Sequence, residues 1–204
     1  RYITSDIERN GQMPPSKKFQ RDHIINATYE VVKNEGLQVV NARRIAKELN
    51  SSVQPIYLNF STMEELKNAV IEKIYHTYIG YMRQGANEEK AYQGMGMAYI
   101  RFARDYPNFF KILFMTESNL SPDCFIQNDD MGNDVLQTGQ IFSGLSLEEQ
   151  KKFHLKVWVF THGIATLAAT STVNFTDEEI KELLGSTVRE MLMGFKIERK
   201  QGEK

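Results

Sequence analysis

Residues 41–66 read Asn-Ala-Arg-Arg-Ile-Ala-Lys-Glu-Leu-Asn-Ser-Ser-Val-Gln-Pro-Ile-Tyr-Leu-Asn-Phe-Ser-Thr-Met-Glu-Glu-Leu, and this stretch decides the fold. Asn41 is a good N-cap, because its side-chain oxygen can accept from an unpaired amide of the first helical turn. Residues 42–49 follow as a short helix, with Ile45, Ala46 and Leu49 on its inner side. Asn50-Ser51-Ser52 supplies a tight turn. Residues 53–59 make a second short helix, in which Pro55 is tolerated because its missing N–H falls in the first turn. Ile56, Tyr57 and Phe60 are its bulky residues. Ser61-Thr62-Met63-Glu64 reads as a capping box opening a long helix to about residue 84. Upstream, Ile24, Ala27, Tyr29 and Val31 or Val32 recur at three- and four-residue steps, which predicts a helix over 17–35 stopped by Gly36. Two short helices joined by a tight turn and braced by a longer one suggest a helix-turn-helix. One helix fits the major groove of duplex DNA and its neighbour crosses the backbone.

The rest of the chain is helical by the same signals. Helices are expected over 88–105 and 107–116, split at Tyr106-Pro107 because the residue before proline disfavours helix. Residues 117–133 are turn-rich, and a short helix follows near 133–142. Ser146 with Glu149, and Thr176 with Glu179, form capping boxes that open helices to about 172 and 197. No stretch alternates long enough for a strand. The expected class is all-α: an N-terminal three-helix helix-turn-helix head plus a larger helical domain. The expected division is a flexible arm over 1–16, the head over 17–62, the larger domain over 63–197 and a frayed tail over 198–204.

Composition narrows the function. With 41% hydrophobic and 25% charged residues, the chain is ordinary for a soluble globular protein. A net charge of −1 excludes a wholly basic nucleic-acid coat and a strongly acidic disordered chain. The balance is uneven, however. Between residues 13 and 62, Lys17, Lys18, Arg21, Lys33, Arg43, Arg44 and Lys47 face only Asp22, Glu30, Glu35 and Glu48, leaving +3 there and −4 elsewhere. The single cysteine, Cys124, excludes an intramolecular disulfide and a multi-cysteine zinc site. His23, His76, His154 and His162 lack metal-site spacing, so no metal and no cofactor are expected. No apolar run approaches the roughly 20 residues of a membrane span. Asp6, Glu8 and Asn10 do not follow a signal-peptide layout. A cytoplasmic location without a membrane partner is expected. No glycine-rich phosphate loop or nucleophile motif appears, and Cys124 has no nearby histidine in sequence, which argues against an enzyme.

Residues 41–66 resemble the DNA-binding module of TetR/AcrR-type transcriptional regulators. The resemblance runs without gaps through Ile45-Ala46, the turn at Asn50, Ile56-Tyr57, Phe60 and Glu64-Glu65-Leu66, and extends back to about Lys17. It departs at four positions. Asn50 replaces a usual Gly, and Asn also tolerates a left-handed turn. Gln54 replaces a small residue and can reach a base edge. Pro55 replaces Thr or Ser. Met63 stands where a phosphate-contacting Lys is usual, with Lys67 one turn later. The resemblance implies DNA contacts from Lys17, Lys18, Arg21, Asn41, Arg43, Arg44, Ser52, Val53, Gln54, Pro55, Tyr57, Asn59 and Lys67. Ile45 and Phe60 are assigned to packing only.

The resemblance also implies a ligand-binding and dimerisation domain. Trp158, His162 and Gly163 resemble the Trp-x-x-x-His-Gly pattern of one TetR-type subgroup. Tyr78, Met82, Tyr99, Phe102, Phe110, Phe114, Trp158 and His162 are the expected pocket for an apolar or amphipathic small-molecule effector. Ile164, Leu167, Ala168, Leu184, Val188, Met191, Leu192 and Phe195 are the expected homodimer interface, each stripe being open to the alternative of an intramolecular core. The function expected is a ligand-responsive repressor that binds a double-stranded palindromic operator as a homodimer. The alternatives are a DNA-binding protein governed by a protein partner or acting architecturally, and, more remotely, a helical enzyme.

Overall fold

The computed structural model describes residues 19–117, 130–139, 142 and 144–202; among them it contains nine α-helices and no strand. Three form the head: α1 (Arg21–Glu35), α2 (Ala42–Glu48) and α3 (Gln54–Asn59), with a 3-10 turn at Leu37–Val39 between the first two. Six follow: α4 (Met63–Ala86), α5 (Ala91–Asp105), α6 (Pro107–Phe114), α7 (Asp130–Thr138), α8 (Leu147–Ala169) and α9 (Asp177–Gly202). The N-terminal arm over 1–16, Lys17, Lys18 and Cys124 lie outside the described residues.

The head forms as its local chemistry dictates. Asn41 Oδ1 accepts from Arg44 N at 2.9 Å and caps α2. Gly36 ends α1 at φ 87° and ψ 171°, a region open essentially only to glycine. Asn50 turns the chain at φ 48°. Ile24, Ile45, Ile56, Phe60 and Leu66 are fully buried in one cluster. Burying each such side chain contributes about 1.5–3 kcal/mol.

Three boundaries differ from expectation, the first two for visible reasons. α1 begins at Arg21, not at 17, because Gln20 is extended and the Phe19 carbonyl is bonded to Asn59. α4 is capped one residue later than expected: Thr62 Oγ1 accepts from Glu65 N at 3.1 Å, and Glu65 rather than Glu64 reaches back, to Ser61 N at 2.8 Å. α9 continues to Gly202, beyond the expected end near 197.

α4 starts in the head with Leu66 and runs into the body through Val70, Ile74 and Met82. α5 returns along it, and α8 runs beside α5 in the same direction, as the contacts of Tyr92 with His154 and Tyr99 with His162 require. α6 lies against α1, α4, α5 and α8. A second apolar cluster, with Leu136, Phe142, Phe153, Val157 and Phe195, joins α7, α8 and α9. Of the expected dimer residues, Ile164, Leu184 and Phe195 are buried within the single chain, and Leu167, Ala168, Val188, Met191 and Leu192 are half-buried. The stripes on α8 and α9 serve α5 and each other first, because both helices pack on α5. Among the described residues, Leu147, Val159 and Met193 are the large apolar side chains that those two helices leave exposed.

The α4–α5 turn is a point of backbone contact. A Cβ on Gly85 would meet the Gly94 carbonyl oxygen at 2.5 Å and Ala98 Cβ at 2.8 Å. Gly80, in the same helix, has nothing within 4 Å of that position. Gly85→Ala is therefore expected to lower unfolding stability by about 1–3 kcal/mol through overpacking. Gly80→Ala should raise it by about 1 kcal/mol through helix propensity. Denaturant unfolding of the two variants checks both signs.

Candidate functional site

A helix of six residues cannot hold its shape in water, so α3 owes its geometry to what it buries. Ile56 and Phe60 provide the inward row. Residues one and two steps past Ile56 point away from that row, since each step turns the helix by about 100°. Tyr57 is 55% exposed and Leu58 77%. Gln54, Val53 and Ser52 are also exposed, and Pro55 is half-buried in the first turn. The result is an outward face of Val53, Gln54, Tyr57 and Leu58. Leu58 was not among the expected contacts. The inward spacing of Ile56 and Phe60 is the sequence signal that could have found it.

The other candidates divide between outward groups and braces. Arg43 is exposed and makes no ion pair among the described residues. Arg44 turns back instead: Nε and Nη2 grip the Glu35 carboxylate, and Nη1 donates to Glu48 Oε2 at 2.9 Å. This holds the Glu35 carboxyl below the usual range and pushes the Arg44 guanidinium further up. Arg44 thus ties the end of α1 to α2. Arg21 Nη1 donates to the Asn59 carbonyl at 2.9 Å and to Glu65 Oε1 at 2.8 Å, and its guanidinium lies 4.2 Å from the centre of the Phe60 ring. Asn59 Nδ2 donates to the Phe19 and Pro55 carbonyls at 3.1 and 2.8 Å. Asn41 is spent on its cap. Lys67, on α4, is half-buried with Nζ 4.0 Å from Glu64. The structure therefore gathers Ser52, Val53, Gln54 and Tyr57 on one outward face. It uses Arg21, Arg44, Asn41 and Asn59 to hold that face in position.

The rings among the expected effector-pocket residues pack against one another. Tyr78 lies 5.0 Å from Phe114, 5.4 Å from Phe102 and 6.1 Å from Tyr99, centre to centre. Tyr99 continues to Phe110 at 5.6 Å. Tyr99 Oη and His162 Nδ1 are 2.9 Å apart, and Trp158 stacks on His162 at 4.9 Å. Burial pushes the His162 imidazole below its ordinary value, favouring the neutral ring. Met82 is buried on α4 nearby. Rings at these separations form a continuous aromatic cluster across α4, α5, α6 and α8.

A cavity of about 580 Å³ lies between the first turn of α5 and helices α7, α8 and α9. Its wall includes Tyr92, Phe142, Val157, Thr161, Leu184 and Val188, with Glu89, Lys90, Gln93 and Arg189 also lining it. None of the eight expected pocket residues lines it. Two of the expected dimer residues, Leu184 and Val188, do. Among the described residues no group of His, Cys, Asp and Glu could hold a metal ion, and no helix is long and apolar enough to cross a membrane.

No family model and no curated protein matches the sequence. Solved structures do match in fold. A TetR-like transcriptional regulator from Rhodococcus sp. RHA1 superimposes with a TM-score of 0.63 at 14% identity, over 85% of this chain and 96% of that one. A transcriptional regulator from Rhodococcus sp. Rha1 does so with a TM-score of 0.54 at 15% identity, over 86% and 97%. The chain shares their all-α fold. At these identities the likeness is one of architecture.

Glu65 offers a test of the brace that holds α3. The Ser61 N–H first, and the Arg21 guanidinium second, hold its carboxyl below the usual range. A carboxyl depressed in the folded state stabilises fully above its unfolded value, and that stability is lost as pH falls through the folded one. Melting temperatures measured from pH 7 down to about 3 should fall below about pH 4 in the parent chain. In Glu65→Gln the starting value should be lower and the acid decline shallower.

Proposed function

We propose that this chain is a DNA-binding transcriptional regulator, acting in the cytoplasm as a homodimer and as a ligand-responsive repressor. One observation carries the reading: a short helix whose inner row is sealed in the head offers an outer row of Gln54, Tyr57 and Leu58. Those side chains suit a duplex groove. A glutamine amide can pair with adenine in two bonds, a leucine can meet a thymine methyl group, and a tyrosine hydroxyl can reach phosphate. The local excess of basic residues and the fold shared with transcriptional regulators support it further. A symmetric dimer supplies two such helices, and two major grooves on one side of DNA lie about 34–36 Å apart.

Several side-chain contacts bolt the head to the body. Tyr29 Oη and Thr77 Oγ1 are 3.0 Å apart, and Lys73 bonds Asn26 while lying 4.9 Å from the Tyr29 ring centre. Asn108 Nδ2, on α6, donates to the Lys33 carbonyl at 3.0 Å. Tyr29 also packs on Phe109 at 4.7 Å. A ligand that favours one arrangement of α4 and α6 would then carry the head with it. The ligand must bind the two arrangements unequally, since an indifferent one shifts nothing. The cavity of about 580 Å³ favours a small-molecule effector over control by a protein partner alone.

Selection of bound duplexes from a random pool, followed by titration at several salt concentrations, tests the reading. The parent chain should select a palindromic site and lose affinity steeply with salt. Tyr57→Phe should weaken all duplexes alike. Gln54→Ala and Leu58→Ala should change base preference, the former costing about 1–3 kcal/mol at one position. A chain that binds no duplex in a salt-dependent manner would end the proposal.

A further inference from the structure

We infer that the cavity between the start of α5 and helices α7, α8 and α9 binds an amphipathic organic acid, with its apolar body inside and its carboxylate at Arg189. The size fits: small-molecule sites usually enclose about 300–1,000 Å³, and this one encloses about 580 Å³. Phe142, Val157, Leu184 and Val188 give it an apolar wall. Two glycines inside helices, Gly96 of α5 and Gly185 of α9, also line it. A Cβ on Gly96 would press on Leu184 Cδ1 at 3.1 Å, and one on Gly185 would come 3.3 Å from Arg189 Nη1. The missing side chains leave room where the wall meets the guanidinium.

The polar groups distinguish an acid from a neutral amphiphile. Thr161 Oγ1 already donates to the Val157 carbonyl at 2.8 Å, and Gln93 Nε2 to the Lys181 carbonyl at 2.9 Å. Arg189 makes no hydrogen bond or ion pair among the described residues. Its planar fork matches a carboxylate with two parallel bonds. α5 begins at the same cavity without a side-chain cap, and a helix start favours negative charge. Glu89 opposes an anion at the rim, but Lys90 beside it offsets that charge and leaves Arg189 in excess. A small inorganic anion would leave the apolar wall wet, whereas an acid with a hydrocarbon body satisfies both parts.

The site stands on its own geometry; only its regulatory meaning rests on the function proposed above. Calorimetric titration of the full chain with dodecanoate and with dodecanol, its neutral counterpart, tests it. The acid should bind once per chain and about tenfold more tightly, the usual worth of a charge-assisted pair. Arg189→Met, at an exposed position, should bring the acid down to the alcohol's affinity and leave the alcohol unchanged. Val157→Trp should block both, with its circular dichroism checked against the parent. Equal binding of the two probes, an acid preference that survives Arg189→Met, or no binding of either would overturn the inference. DNA titration in parallel separates the two claims. Acid binding at Arg189 with unchanged DNA affinity supports the site and defeats the ligand response. Normal DNA binding with neither probe bound defeats the site and leaves the DNA reading intact.

Discussion

The shortest helix of the head sets the demands on everything around it. α3 has six residues and no side-chain cap, so neither length nor local bonding can keep it helical or aimed. Ile56 and Phe60 bind it to the core, and Arg21 completes the fixing. One guanidinium reaches the carbonyl at the end of α3, the carboxylate at the start of α4 and the face of Phe60. Arg44 does the same for α2, through Glu35 and Glu48. Positive charge in the head therefore has two uses. Some of it is consumed inside the module as clamps, and some, such as Arg43, remains outward.

From the head, rigidity continues into the body along α4. Its early residues belong to the head's core, its middle carries Thr77 and Tyr78, and its end meets α5 backbone to backbone at Gly85 and Gly94. The ring cluster around Tyr78, Tyr99, Phe110 and Phe114 joins α4, α5 and α6. Packed interiors of this kind pass displacement on instead of absorbing it. The cavity sits at the start of α5, against α8 and α9. In the proposed ligand response, a change there would reach the head through α5 and α4, and the proposed dimer helices are its immediate walls.

The positions and types of the helices could be read from residue order because their causes are local. Asn41, Gly36, Asn50, Pro107, Ser146 and Thr176 act on the backbone within a few residues of themselves. Even the displaced cap of α4 is a local matter, since Ser61 and Thr62 were both suitable and the geometry took Thr62. The inward row of α3 was equally legible, because three- and four-residue spacing is a property of the helix itself.

What apolar and charged side chains touch depends on residues far away in sequence, and here only the tertiary structure decided. Periodicity marks Tyr78, Tyr99 and Phe114 as inward-facing but cannot say which rings of separate helices meet; these three pack against one another. It marks Ile164 and Leu184 as an apolar stripe but cannot say whether the stripe meets α5 or another copy; these are buried in the chain. Arg21 and Glu65 are 44 residues apart, and no local rule pairs them. Residue order thus determined the helices and their faces, because hydrogen bonds along a helix join near neighbours. The cavity, the clamps and the ring cluster arose from packing among helices, which depends on how well distant surfaces fit.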